Sequence, residues 1–457
     1  MKLVLCFVGL LGAICGTAQS LFKGGPMLGH VDFKAASIWV EMAPGVQTVE
    51  VVYATALKRL PVSKTFLLPG GNANTAKLDL DGLQLNQTYQ YTITAKLGKI
   101  TDTRKGTFTT RELWQWRKAP PTFQFLAGSC AYFNEPAVDR PGAPYGKDSS
   151  IFETMAKDSA SFMVWLGDNW YTREVDFGTP SGLQYRASLT RSYPVLQNFL
   201  KAMPHYAIWD DHDYGPNNAD MAYPLKEASR GIFERYWCNP SFGENGQGIY
   251  TKINWHDVDV FLLDDRWFRS NDALPDSING TPNAEKQMLG AAQLRWLKNA
   301  LAASQDDRQI SFRIIAMGSQ VLNPLSSSDC LQHFPTEYAA LMRMIEELKV
   351  EGVLFLTGDR HLSEIIEQKR TAAYPLYDIT TSPLTAGPTK WQGNQVNNPY
   401  RIAGVDGAQS YARFKVSGQG KTRALSVEFV DKQGTTQTRW SILKTALQYP
   451  RQTGNTN

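Results

Sequence analysis

Six short apolar runs, each ending in a small polar motif, limit what this chain can fold into more than any other feature. The run 123–126 leads into Gly128-Ser129-Cys130, the run 162–166 into Gly167-Asp168-Asn169-Trp170-Tyr171, and the run 206–209 into Asp210-Asp211-His212-Asp213. Further on, 258–263 leads into Asp264-Asp265-Arg266, 310–316 into Gly318-Ser319-Gln320, and 353–356 into Gly358-Asp359-Arg360-His361. Between them, 291–303 and 337–349 place apolar residues at helical spacing, as in Leu294, Leu297, Leu301 and Leu341, Ile345, Leu348. Strands alternating with helices predict an α/β unit built on a large, mostly parallel sheet or a sandwich of sheets. Ligands of such sheets bind beyond the carboxyl ends of the strands, so the six polar motifs are expected to converge on one crevice.

Several carboxylates cannot share a buried crevice without compensation, because desolvation and mutual repulsion force protons onto them. Cations are the simplest compensation, and the softness of the donors sorts them. Cys130, Tyr171 and His361 offer a thiolate, a phenolate and an imidazole, which favour a redox-capable transition metal such as ferric iron. Asp211 and Asp359 offer oxygen alone, which suits calcium, magnesium or manganese. Asp168 has two oxygens and stands three residues before Tyr171, so it could bridge two ions, which in two-metal hydrolases lie about 3.5–4 Å apart. His212, beside a candidate ligand, is the expected general acid, and Arg266 or Arg360 the expected donor to a developing negative charge. Arg269 and Gln320 are further substrate-binding candidates, with Asp264 and Asp265 of the same rank. Each of these alone has a plainer role, as a buried thiol, a packed aromatic, a turn or an ion pair. Their conjunction at six strand ends is what points to a site.

Before residue 118 the period changes. In Tyr89, Tyr91, Ile93, Ala95, Leu97 an apolar side alternates with Gln90, Thr92, Thr94, Lys96, the pattern of a half-buried antiparallel strand. Ile38, Val40, Met42 and then Val49, Val51 repeat it, and Gly70-Gly71-Asn72 punctuates it, which predicts a small β-sandwich over 19–117 resembling a fibronectin type III domain. The α/β unit then occupies 118–445, and a flexible polar tail 446–457. At the other end, Lys2, the apolar run 3–15 and Gly16-Thr17-Ala18 read as a signal peptide over 1–18, so the chain is expected to be exported to a periplasmic or extracellular space. That run, of about 13 residues, is too short to span a bilayer, and no transmembrane anchor is expected. Forty-seven Lys and Arg against 43 Asp and Glu leave a net +4, too small to argue for a nucleic-acid partner. Cys238 and Cys330 either pair or remain two inert thiols.

The series GSC, GDNWY, WDDHDYGPN, LLDDRWFR and FLTGDRHLSE resembles the PhoD-like alkaline phosphatases of the metallophosphatase superfamily, over residues 122 to about 400. The resemblance implies a four-layer α/β/β/α sandwich behind a small β-sandwich domain, with ferric iron and calcium in one centre and manganese or magnesium as substitutes at the oxygen-ligand site. It implies iron on Cys130, Asp168, Tyr171 and His361, and calcium on Asp168, Asp359 and a residue of the WDDHDYGPN loop, Asp211 first and Asn217 next. Purple acid phosphatases are a weaker match, since WDDHD replaces their Gly-Asn-His motif. One departure concerns the phosphate clamp: related sequences often place an acidic residue and an arginine straight after the tyrosine, whereas here Thr172 comes first and Arg173-Glu174 follow. The expected reaction is hydrolysis of phosphate mono- or diesters, small or polymeric, by a metal-bound hydroxide in a monomeric enzyme. The alternative is a non-catalytic exported binding protein with structural metals, whose sites would be closed to water where a catalytic site stays open.

Overall fold

The computed structural model describes residues 20–56 and 61–450, so the expected export signal and the last residues of the tail lie outside the described residues. Alternation in the first part of the chain becomes two antiparallel sheets. Strands β1 (Phe22–Val31), β2 (Ala36–Met42) and β5 (Thr75–Leu80) form one, in the order β1-β2-β5. Strands β3 (Thr48–Thr55), β4 (Val62–Leu67), β6 (Thr88–Leu97) and β7 (Ile100–Thr109) form the other, in the order β4-β3-β6-β7. β6 buries Tyr89, Tyr91, Ile93 and Ala95, together with Val49 of its sheet neighbour β3, against Ile38 and Val40 of the facing sheet, while Gln90 stays exposed. Leu97 keeps the parity of the pattern but is exposed, because it is the last residue of the strand.

The six apolar runs become β8 (Phe123–Gly128), β9 (Met163–Leu166), β10 (His205–Ile208), β12 (Val258–Leu262), β15 (Phe312–Met317) and β16 (Val353–Thr357). They divide between two sheets rather than sharing one. β8, β9 and β10 run parallel at one side of a six-stranded sheet, completed by the antiparallel β20 (Tyr411–Ser417), β21 (Ala424–Val430) and β22 (Thr436–Leu443). β12, β15 and β16 run parallel in a seven-stranded sheet of order β11-β12-β15-β16-β18-β17-β19. That sheet is completed by β11 (Thr251–Trp255), β17 (Ser363–Gln368), β18 (Leu376–Thr380) and β19 (Arg401–Val405). Strands β13 (Ser277–Ile278) and β14 (Thr281–Pro282) form a small separate hairpin. Gly420-Lys421-Thr422 is a short turn joining β20 to β21.

One apolar core takes in both large sheets and the inner faces of the helices. These are α1 (Ile151–Met155), α2 (Pro180–Ser192), α3 (Pro194–Ala202), α4 (Asp211–Tyr214), α5 (Lys226–Tyr236), α6 (Gly290–Asp306) and α7 (Pro335–Glu347). Leu297 and Leu301 of α6 and Leu341 and Ile345 of α7 are fully buried, as their helical spacing requires. Met27 and Trp39 of the β-sandwich belong to this core too, and Trp39 donates its Nε1–H to the Arg235 carbonyl at 2.9 Å. Glu41, fully buried, accepts from Ser188 Oγ at 2.6 Å and from Tyr236 at 3.0 Å. The first domain is therefore docked on α2, α3 and α5 through buried polar contacts, rather than hung from a linker. Cys238 and Cys330 are buried and form no disulfide among the described residues.

Candidate metal centre

Sharp turns follow the parallel strands, and they hold the backbone in a region that L-residues seldom occupy. Cys130, Asp168, Asp359 and His361 have φ of 61°, 53°, 63° and 56°. Such left-handed residues each cost of order 1–3 kcal/mol and persist where the surroundings impose them, as they do at binding and catalytic sites. Here the loops brace one another: Cys130 N–H donates to the Gly167 carbonyl at 3.3 Å, Ala131 N–H to Asp168 at 2.8 Å and Gly358 N–H to Gly318 at 2.9 Å. Gly167 and Gly318 permit this closeness, since a Cβ on either would lie 2.5 Å and 2.7 Å from the Asp210 side chain.

The turns deliver two groups of ligand-type atoms. Cys130, Asp168 and His361 place a sulfur, a carboxylate oxygen and a ring nitrogen within 4.8 Å of one another, and so do Asp168, Asp211 and His212 with oxygens and nitrogen. Asp168 belongs to both. The Tyr171 hydroxyl reaches the first group, 3.2 Å from His361 Nε2. His361 Nδ1 lies 2.9 Å from the Gly387 carbonyl and 3.0 Å from Tyr145 Oη. A carbonyl only accepts, so Nδ1 carries the proton and Nε2 keeps its lone pair toward the group. Asp211 accepts from the Asn218 backbone N–H at 2.7 Å and from His212 N–H at 2.9 Å. Asn217 itself is exposed. Asp359 lines the same crevice, its carbonyl 3.6 Å from Cys130 Sγ, but its carboxylate joins neither group.

Electrostatics in this crevice run one way. Burial, then Asp211 and Asp213, hold the Asp168 carboxyl well above the ordinary range. Burial, then Asp168 and Asp359, raise the Cys130 thiol, and burial followed by Asp168 and Cys130 does the same to the Tyr171 phenol. Asp359 is pushed up to about 7 by burial and then by Asp329. Asp211 is the exception: burial raises it, but the His212 ring and Arg266 hold it below the ordinary range. His361 is pushed down to about 4 by burial. Four acids raised together and an imidazole kept neutral form a donor set that becomes favourable once cations balance it. Thiol, phenol, imidazole and carboxylate on one side, and mostly carboxylate on the other, fit a transition metal next to a harder ion.

The arginines differ in how far they are committed. Arg266 is fully buried, and its guanidinium pairs with Asp210 at 2.5 Å and with Asp329 at 3.4 Å. Arg269 is held by Asp272 at 2.9 Å, Asp329 at 3.0 Å and Ser319 Oγ at 3.2 Å. Arg173 binds Asp139 and the Phe133 and Tyr171 carbonyls, and its guanidinium lies 4.0 Å over the Tyr132 ring. Arg360, half-buried, has among the described residues only Ser328 Oγ as a side-chain partner, at 3.4 Å. Gln320 is buried and donates its amide to Glu364 and Thr380, both at 2.9 Å. Asp264 caps the next turn by accepting from Arg266 N–H and Trp267 N–H, and Asp265 accepts from Ser319 N–H at 2.7 Å. His212 is half-buried, with Nδ1 lacking a partner among the described residues and its ring 4.3 Å from that of Tyr171. Trp165, Trp170, Trp209 and Trp267 are all buried, so they pack rather than stack on a ligand. Sequence reasoning missed Tyr145, which reaches the centre from a loop remote in the chain, Asn218, which acts through its backbone, and Asp329, which anchors two arginines.

Residues 19–111 match a profile described as "Domain of unknown function (DUF7800)". Alkaline phosphatase D of Bacillus subtilis (strain 168) is 24% identical over 332 residues, covering 64% of this chain and 54% of that protein; this chain thus spans about half the length of that relative. A solved structure described as "Structure of PhoD" superposes with a TM-score of 0.76 at 18% identity, covering 94% of this chain and 92% of the other, so the overall fold, β-sandwich included, is shared. The profile described as PhoD-like phosphatase matches residues 125–426, which hold every turn of the crevice, and the chain belongs to the PhoD-like phosphatase family.

Proposed function

We propose that the protein is an exported, metal-dependent phosphoesterase acting on phosphate mono- or diesters, small or polymeric, at a dinuclear centre. The observation that carries the reading is the sharing of Asp168 by two ligand groups of different softness. Cys130, Asp168, Tyr171 and His361 would hold ferric iron, and Asp168, Asp359 and a residue of the 209–217 loop, Asp211 ahead of Asn217, would hold calcium, with manganese or magnesium able to replace calcium. Ions bound there supply acidity to a water ligand and positive charge to phosphoryl oxygens. Among the chain's own groups, Arg360 has the guanidinium freest to meet a phosphate. Arg266 acts at a distance, as a fixed positive charge behind Asp210 and Asp211. His212 stands at the edge of the second group and would hand a proton to the leaving oxygen.

Metal analysis and the visible spectrum of the purified protein test this directly. Iron with a hard divalent ion, a phenolate-to-iron absorption that disappears in Tyr171→Phe, and hydrolysis of 4-nitrophenyl phosphate or its bis ester are expected. A colourless, zinc-loaded or metal-free protein that hydrolyses neither ester would sink both the ligand assignment and the reaction.

A further inference from the structure

The β-sandwich and the α/β unit enclose between them a groove that the metal centre does not use. One stretch, about 980 Å³, lies between β7 on one wall and α1 and α3 on the other, with Lys105, Lys157 and Lys201 around it. A second stretch of about 530 Å³ shares Lys105 and Lys201 and adds Lys23 and Arg104. Five cations thus line one continuous groove, and Glu153 is the single acidic residue among its lining. The whole chain is nearly balanced, at 47 basic to 43 acidic residues, so this is a local concentration rather than a reflection of net charge. Two of the five are partly neutralised: Arg104 pairs with Asp102 at 2.5 Å, and Lys23 lies 3.4 Å from Glu41. Lys105, Lys157 and Lys201 form no ion pair among the described residues. Thr107 and Asn198 add polar side chains to the walls.

The groove and the crevice occupy opposite ends of the same strands. α3 ends at Ala202, which lines the groove, and β10 begins at His205; the WDDHD turn starts only after Ile208, beyond a strand about 13 Å long. A ligand held here therefore has no access to the metal centre through the protein, and its recognition is a separate property of the chain. Concave shape and continuity suit a chain of charges better than a flat bilayer. The large apolar ring in the lining, Phe22, is buried, so no exposed aromatic offers base stacking or membrane insertion.

We propose that this interdomain groove binds a linear polyanion carrying phosphate or sulfate groups along its backbone. Binding uses Lys105, Lys157 and Lys201 as the principal contacts. It is electrostatic and weakens with salt through counterion release.

The test uses the full-length protein and long-chain inorganic polyphosphate, with affinity measured against salt concentration. Wild type is expected to bind at about 150 mM salt, with affinity falling steadily as salt rises. The triple variant Lys105→Gln/Lys157→Gln/Lys201→Gln is expected to bind about tenfold or more weakly with a shallower salt dependence. Its unfolding midpoint and its hydrolysis of a small aryl phosphate should stay as in wild type. Equal binding by wild type and variant would overturn the proposal, as would absence of binding at that salt. So would a preference for phosphatidylglycerol vesicles that polyphosphate fails to compete away, which would make the face a membrane contact. Loss of esterase activity in both proteins would count against the metal-centre reading while leaving the groove result intact.

Discussion

Asp257 and Asp168 are both fully enclosed carboxylates, and their surroundings could hardly differ more. Asp257 faces Arg423 in a two-pronged pair, with Nε to Oδ2 at 2.9 Å and Nη2 to Oδ1 at 2.5 Å, and the guanidinium also donates to the Pro121 and Gly418 carbonyls. Asp168 faces Asp211, Asp213 and Asp359, with Cys130 and Tyr171 beside it. Two of the arginines nearest the crevice are committed to other acids, Arg266 to Asp210 and Arg173 to Asp139. A buried acid supplied with its own arginine is part of the scaffold. A buried acid surrounded by further acids disfavours the fold until something outside the chain balances it, and that contrast separates site from scaffold without reference to any relative.

Substituting the two residues should break the comparison in opposite directions. Asp168→Asn is expected to lower esterase activity more than about 10⁴-fold, since both ligand groups lose a member. In metal-free protein the same change should raise the unfolding midpoint, because it removes a carboxyl that burial and three neighbouring acids disfavour. Asp257→Asn should do the reverse, leaving the centre intact and stranding a buried guanidinium, for about 3–5 kcal/mol of lost stability in denaturant titration. If Asp168→Asn destabilises metal-free protein as much as Asp257→Asn does, the distinction between the two environments is wrong.

How much of this could be read from residues alone follows the same division. Period-two alternation placed β6 and the helical spacings placed α6 and α7, because burial on one face leaves a mark in composition. Cys130, Asp168 and His361 stood out because thiol, carboxylate and imidazole at strand ends are chemically unusual. The division of six similar apolar runs between two sheets was not legible, since strands buried on both faces carry no sign of which neighbour they take. Nor was the left-handed backbone at four of the crevice residues, none of which is a glycine. In Asp210-Asp211-His212-Asp213 the three aspartates look alike. Only through-space contacts show that Asp210 holds Arg266, that Asp213 caps the turn by accepting from Asn169 N–H and Asp210 N–H, and that Asp211 alone joins a ligand group. The partners of Gln320 were hidden for the same reason, Glu364 and Thr380 lying 44 and 60 residues away.

His212 sits on the boundary between the two environments and can be assigned by a smaller effect. As the proton donor it should lose about 10²-fold in turnover on a poor leaving group when changed to alanine, with metal content unchanged and activated esters much less affected. If His212→Ala empties the second metal position, the residue is a ligand, and the leaving group must take its proton from elsewhere.

His205 sharpens the comparison from the scaffold side, where a buried ionisable group is tolerated without any countercharge. Its ring is fully buried, Nδ1 accepting from Trp165 Nε1–H at 3.0 Å and Nε2 donating to the Phe199 carbonyl at 3.0 Å, so both nitrogens are satisfied only in the neutral form. Burial pushes its pKa down to about 3 from the ordinary 6.5. A base with a depressed folded pKa contributes its full stability above the unfolded value and loses it as the pH falls, because the unfolded chain takes up the proton first. Between pH 6.5 and 4 this residue should therefore remove up to about 1.4 kcal/mol of stability per pH unit. His205→Gln offers the same acceptor and donor with no proton to gain, and its unfolding free energy should fall less steeply than wild type over that window by the slope of one proton. Parallel profiles would mean that the folded protein opens around β10 to let the ring ionise, and that the sheet beneath the metal centre is softer in acid than its packing indicates.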